Sequence, residues 1–190
     1  MEYVIIIFSA IFINNIVLSR FLGICPFLGV SKSLSTATGM GMAVIFVMTI
    51  STIMTYLIMH FLLVPLDVTY LQTVSYILVI AFLVQVVEIV LKKVSPELYQ
   101  SLGVFLPLIT TNCTILGVAI LVIQKELNLL QSVLFAVGNG LGFTLAIILF
   151  ASLREQLDLA ELPEAMKGIP AALIVASILA MAFMGFAGIV

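Results

Sequence analysis

Cys25 and Cys113 are the two cysteines of a 190-residue chain, and each opens a stretch of the same pattern, CPFLGV at 25–30 and CTILGV at 113–118. A lone cysteine in an apolar chain is ordinarily a small packing residue, but here two stand at matching places. Three chemistries are open to such a pair. A disulfide needs an oxidising surface, and the positions lie deep inside apolar runs. A closed structural zinc site needs four ligands and has little purpose inside a bundle already held by packing. An iron-sulfur cluster is held by four thiolates, so one chain of this kind supplies half of a site and a partner with a similar pair would supply the rest.

The residues around the cysteines are unusual for helices in an apolar chain. Asn14, Asn15, Arg20, Gly23, Pro26 and Gly29 interrupt the first apolar segment. Proline lacks a backbone donor and clashes with the preceding turn, which places a break between Gly23 and Gly29. The fourth segment has the same character: Pro107 precedes Thr110, Thr111, Asn112, Cys113 and Thr114, with Gly117 following, at the centre of the uncharged run 98–124. A polar cluster at that depth is costly unless it faces protein or a lined cavity, so it marks an interior site. Thr and Asn bonding one helix to another is the plainer reading of the same residues.

The elements that carry these residues follow from composition. Hydrophobic residues make up 64% of the chain and charged ones 8%, against about half and a quarter in soluble domains. The few charges leave 33–66, 68–87, 98–124, 127–153 and 168–190 uncharged, each long enough for the roughly 20 residues that a spanning helix needs. The first segment carries Arg20 as its single charge over 3–31. It opens Met1, Glu2 without the basic start of a cleaved signal, and we read it as retained. The expectation is an all-α integral membrane fold of six transmembrane helices at about 3–24, 35–63, 69–91, 101–123, 128–153 and 169–189, forming a single domain over 1–190. A net charge of −2 with scattered charges excludes a nucleic-acid surface.

The cysteine motifs also suggest an internal repeat. Gly39, Met40, Gly41 parallels Gly138, Asn139, Gly140 at a slightly larger offset. Halves of about 1–93 and 98–190 would each hold three spans, and an odd number forces opposite orientations, with broken first and fourth helices meeting near the midplane. Taken alone, that architecture suits a secondary transporter of a small solute equally well.

Loops after the first, third and fifth helices would carry Arg20, Lys32, Lys92, Lys93, Arg154 and Lys167, and the opposite side Lys125 alone. Positive charge collects on the cytoplasmic side, so both termini are expected outside the cytoplasm. The polar stretch 154–167, with Arg154, Glu155, Asp158 and Glu161, reads as a short cytoplasmic helix or docking surface. Glu88 and Lys92 form an i,i+4 pair worth tenths of a kcal/mol. Gly39, Gly41, Gly138, Gly140 and Gly142 read as close-approach positions between helices.

The runs NNIVLSRFLGICPFLGVSK at 14–32, FLPLITTNCTILGVA at 105–119 and MAFMGFAGIV at 181–190 closely resemble the A-type membrane subunit of the Rnf complex. That membrane-bound ferredoxin:NAD oxidoreductase couples electron transfer to sodium or proton translocation. The E-type subunit of the sodium-pumping NADH:quinone reductase is a close relative. The resemblance implies a non-autonomous subunit of an ion-translocating oxidoreductase in a bacterial or archaeal cytoplasmic membrane. It further implies a homologous partner of opposite orientation, the E-type member of the Rnf complex, and a [2Fe-2S] cluster shared with it through Cys25 and Cys113. Gly23, Pro26, Gly29, Asn112, Thr114 and Gly117 would surround that cluster. No flavin-attachment motif occurs, so flavin is expected on other subunits.

Overall fold

Asparagine and glycine, not proline, divide the first apolar segment. In the computed structural model, which describes residues 2–31, 33–94, 106–159, 163 and 166–185, α1 (Glu2–Phe8) widens into a π-helical turn (Ser9–Ile13) that stops at Asn14. Asn15, 1% exposed, then caps α2 (Ile16–Arg20). Its side-chain oxygen accepts from the Val17 and Leu18 amides at 3.1 and 3.4 Å, and its amide donates to the Ile11 and Gly142 carbonyls at 3.1 and 2.8 Å. Helix ends buried away from water must find partners inside the protein. One asparagine meets that requirement for two helix ends.

A second break follows at 21–23, where Phe21 and Gly23 both take left-handed backbone angles, φ 53° and 81°. α3 (Ile24–Gly29) begins there. The expected break is therefore present but displaced towards the amino terminus. Pro26 does not cause it, because it lies in the first turn of α3, where its missing N–H costs nothing.

α4 runs from Leu34 to Ile58 and continues as a π-helical turn to Leu63, and a tight turn at Thr69–Leu71 leads into α5 (Gln72–Val94). α6 (Leu106–Thr110) is separated from α7 (Cys113–Gln124) by a break at Thr111 and Asn112. α8 (Leu129–Asp158) starts in a capping box between Asn128 and Gln131, and α9 spans Ile169–Met184.

All described elements are helical. Among the described residues, four stretches are long and apolar enough to cross a membrane: 34–63, 69–90, 107–124 and 129–158, with α9 a shorter apolar helix. The first segment, expected as one span, is three helices, and the fourth is two. Large apolar side chains face outward, among them Phe46, Phe61, Leu78, Phe82 and Met181, as a lipid-facing surface requires.

The antiparallel pair α4 and α8 forms the centre. Thr144 fills the space beside Gly41, and Ile45 the space beside Gly140. The first segment lies across the other edge of α8, with Ala10 and Ile7 against Gly138 and the Ala10 carbonyl and Asn15 against Gly142. Four of the five glycines read as close-approach positions serve that purpose. Phe143, Ile147 and Phe150 on α8 and Met40, Val44 and Met48 on α4 are fully buried.

Sidedness within the bundle also follows. Lys125 lies over the Phe135 ring, beside Ile5, Ile6, Ser9 and Asn14, so the amino-terminal helix and the α7–α8 turn share one end. Arg154 reaches Leu28 and Ser31 at the other. α8 has 30 residues and is about 45 Å long, whereas the hydrocarbon core is about 30 Å thick. It is therefore longer than that thickness, and its charged residues Arg154, Glu155 and Asp158 are gathered in its last two turns.

Candidate functional site

The two cysteine motifs meet where the broken segments cross. Cys113 is the first residue of α7, and its Sγ accepts a hydrogen bond from the Gly23 amide at 3.0 Å. Gly23 caps α3, and Cys25 is the second residue of that helix. Each thiol thus sits at a helix start, where backbone N–H groups point outward and negative charge is favoured. Cys25 is exposed on the chain and Cys113 half-buried, and both are free thiols.

Glycine is required at position 23 for two reasons. Its φ of 81° is one that residues with a Cβ rarely adopt. A Cβ there would also overlap the Thr114 hydroxyl and lie 3.1 Å from the Asn112 side-chain oxygen and 3.2 Å from the Phe143 ring. The interlock is reciprocal. Leu22 fills the space beside Gly117, with Cδ1 2.8 Å from where a Cβ would be, and Leu108 lies 3.4 Å from the corresponding point at Gly29.

Asn112, 2% exposed, caps α7 by accepting from the Thr114 amide at 3.0 Å. Among the described residues its side-chain amide has no hydrogen-bond partner, nor has the hydroxyl of Thr114, which is 0% exposed. An unpaired buried polar group costs about 1–3 kcal/mol. The chain carries two of them beside Cys113.

The predicted surroundings Gly23, Asn112, Thr114 and Gly117 therefore converge on the cysteine crossing, while Gly29 and Pro26 lie further along α3. Among the described residues no group of three or more His, Cys, Asp or Glu side chains could hold a metal. Two thiols at helix starts, one with an amide donor on its sulfur and one open to the outside, fit half of a thiolate-ligated cluster whose other half is external.

The expected docking surface is differently built. Arg154 is spent inside the chain: it donates to the Leu28 carbonyl at 2.8 Å and the Ser31 hydroxyl at 2.9 Å, and its guanidinium lies 5.8 Å from the Phe150 ring centre. Phe150 in turn stacks on Phe27 at 4.2 Å. Arg154 thus ties the end of α3 to α8. Glu155 and Asp158 are exposed but belong to α8 itself, not to a separate helix, and Glu161 lies outside the described residues. Asp158, Arg154 and Lys167 line a small pocket at the start of α9.

Sequence reasoning missed three contacts: Gly23 to Cys113, Asn15 to Gly142, and Arg154 to Leu28. The Asn14–Asn15 pair in an apolar run is a legible capping signal for the start of α2. The three contacts themselves join residues 90, 127 and 126 positions apart, with no local trace.

A family model described as Rnf-Nqr subunit, membrane protein, matches residues 3–190. The chain belongs to this family of membrane subunits. Within it, the chain is 56% identical to the A-type subunit of the Na(+)-translocating ferredoxin:NAD(+) oxidoreductase complex of Acetobacterium woodii, over 99% of this chain and 98% of that protein. It is 56% identical to the A-type subunit of the ion-translocating oxidoreductase complex of Syntrophotalea carbinolica over 97% and 96%, and 51% identical to that of Pseudoalteromonas translucida over 100% and 98%. The broken first and fourth segments and the cysteine crossing thus belong to a membrane protein of the Rnf-Nqr family, and the match extends over both halves of the chain.

Proposed function

We propose that this chain is the A-type subunit of an ion-translocating ferredoxin:NAD oxidoreductase complex, and that with a homologous partner of opposite orientation it holds a [2Fe-2S] cluster inside the membrane. Full-length identity to proteins of that name supports the first part. The observation that carries the cluster is the crossing itself: Cys113 Sγ bonded by the Gly23 amide, two residues from Cys25. Cys25 and Cys113 are the residues that would hold the group. When bound, it supplies a one-electron couple between the two faces of the bundle.

This chain's residues do the rest. The exposed thiol of Cys25 opens the site towards a partner. Ile16, Val17, Ile115 and Val118, all buried on α2 and α7, exclude water. The α7 start and the Gly23 amide favour charge on the Cys113 sulfur. The inverted repeat of 1–93 and 98–190 is part of the proposal, supported by the order of elements in each half: a broken helix bearing a cysteine, a long helix, then a further helix. So are the cytoplasmic membrane and termini outside the cytoplasm, supported by the shared end of Arg154 and Ser31.

Iron counting and low-temperature electron paramagnetic resonance on the whole complex test the cluster. Cys25→Ser and Cys113→Ser should each abolish one signal and lower the iron content while the complex still assembles. Full iron and normal turnover in both variants would reduce the cysteines to packing residues.

A further inference from the structure

We infer that the Thr114 hydroxyl and the Asn112 side-chain amide are positioning donors for the sulfur-bearing group at Cys113, setting its reduction potential by hydrogen bonding. The inference rests on the cluster reading above and adds to it two residues that are not ligands.

The argument begins with how hydroxyls are satisfied elsewhere in the bundle. Thr38, Thr49, Thr144, Ser152 and Ser177 each donate to the carbonyl four residues earlier in their own helix, at 2.8–3.0 Å. That partner exists only inside a helix. Thr114 is the second residue of α7, so no turn of that helix precedes it, and its hydroxyl is fully buried and unpaired among the described residues. Asn112 is constrained in the complementary way. Its oxygen is committed to the Thr114 amide at 3.0 Å, which leaves its NH2 as the free end, again buried and unpaired.

Both free donors belong to the residues flanking Cys113, and Gly23 is their common neighbour. Its amide bonds the Cys113 sulfur, and the Thr114 hydroxyl and Asn112 oxygen lie against its Cα. A sulfur acceptor that carries more negative charge after one-electron reduction is what such donors suit. Donors stabilise the reduced form and so raise the potential, a recognised control on iron-sulfur centres. Both atoms are themselves buried from solvent.

Redox titration of the purified complex, following the resonance signal that Cys113→Ser removes, reads the effect directly. Thr114→Val keeps the shape and deletes the donor, and Thr114→Ser keeps the donor. Asn112→Ser keeps a helix cap and deletes the amide. Thr114→Val and Asn112→Ser should each retain iron and lower the reduced-to-oxidised ratio at fixed poise by about tenfold, which is about 59 mV for a one-electron couple. Thr114→Ser should stay near wild type. If Thr114→Val instead loses the cluster while Thr114→Ser keeps both cluster and potential, the hydroxyl is still the operative group. Full iron with wild-type potential in both Thr114→Val and Asn112→Ser overturns the inference and leaves the cluster reading intact. Survival of every signal in Cys113→Ser overturns the cluster reading, and this inference with it.

Discussion

The α4–α8 pair and the crossed breaks use the same residue types to opposite ends. Along α4 and α8 the glycines make room for a neighbour's side chain, Ile45 at Gly140 and Thr144 at Gly41. The threonines there bond their own helix, as Thr49 does to Ile45 and Thr144 to Gly140. At the breaks, Gly23 is needed for its backbone angle and for closeness to a sulfur, and Thr114 and Asn112 keep unspent donors. A polar residue inside an intact helix of a membrane bundle is self-sufficient, whereas one at a helix start is available. Ser51 and Thr52 on α4 depart from this, their buried hydroxyls having no partner among the described residues.

The largest effect expected from breaking that contrast is at Gly23. An alanine there must hold a left-handed angle, at about 1–2 kcal/mol, and its methyl would displace the Thr114 hydroxyl. Gly23→Ala should therefore strip most of the cluster iron while leaving the helical content unchanged by circular dichroism. Gly29→Ala and Gly117→Ala meet only the ends of Leu108 and Leu22 side chains, which can rotate away. If those two lose as much iron as Gly23→Ala, the crossing is merely a tightly packed region.

Next comes the packed pair itself. A Cβ at Gly140 would lie 3.1 Å from the Ile45 Cα, and backbone does not yield. Gly140→Ala should cost about 1–3 kcal/mol by overpacking, seen as a lower melting temperature in detergent. The midpoint potential of any remaining cluster should not move. A shifted potential with unchanged melting would invert the division of labour between the two regions.

Arg154 sharpens the comparison from a third place, because it fastens α3 to the charged end of α8. Hydrogen bonds to a charged group are worth about 1.5–3 kcal/mol, and Arg154 makes two, partly exposed to solvent. Arg154→Met should therefore lower thermal stability by about 2 kcal/mol. Arg154→Lys should recover part of that loss, since one ammonium cannot reproduce the guanidinium fork. Equal stability of all three proteins would mean that the tie is cosmetic.

These regions are unequally legible in the sequence. The long helices can be read from charge-free runs because a bilayer imposes length directly, and the break at Asn112 from polar residues at the centre of such a run. The break expected from Pro26 is displaced, since a proline in a first helical turn is harmless and the left-handed angle at Phe21 has no sequence signature. Arg154 reads as surface because a charge near a loop normally is. Its acceptors, Leu28 and Ser31, follow Phe27, which stacks on Phe150 one turn before Arg154. The two cysteines are legible as a pair, but their meeting through Gly23 belongs to the tertiary fold.

The smallest effect is expected at the outer end of α8. Glu155 and Asp158 are exposed there, in the charged last turns of the helix, and their side chains make no hydrogen bond or ion pair to another described residue. Reversing both to Lys removes no packing, and surface charges contribute at most about 1 kcal/mol each to folding, so the melting temperature should stay within a degree or two. A negative patch that docks a basic surface acts chiefly on association rate and is screened by salt. The double variant should therefore co-purify with less of the remaining complex at low ionic strength, and the difference from wild type should shrink as salt is raised. Glu155→Gln with Asp158→Asn should lie between them. Undiminished co-purification at low salt would leave this end of α8 as solvated surface.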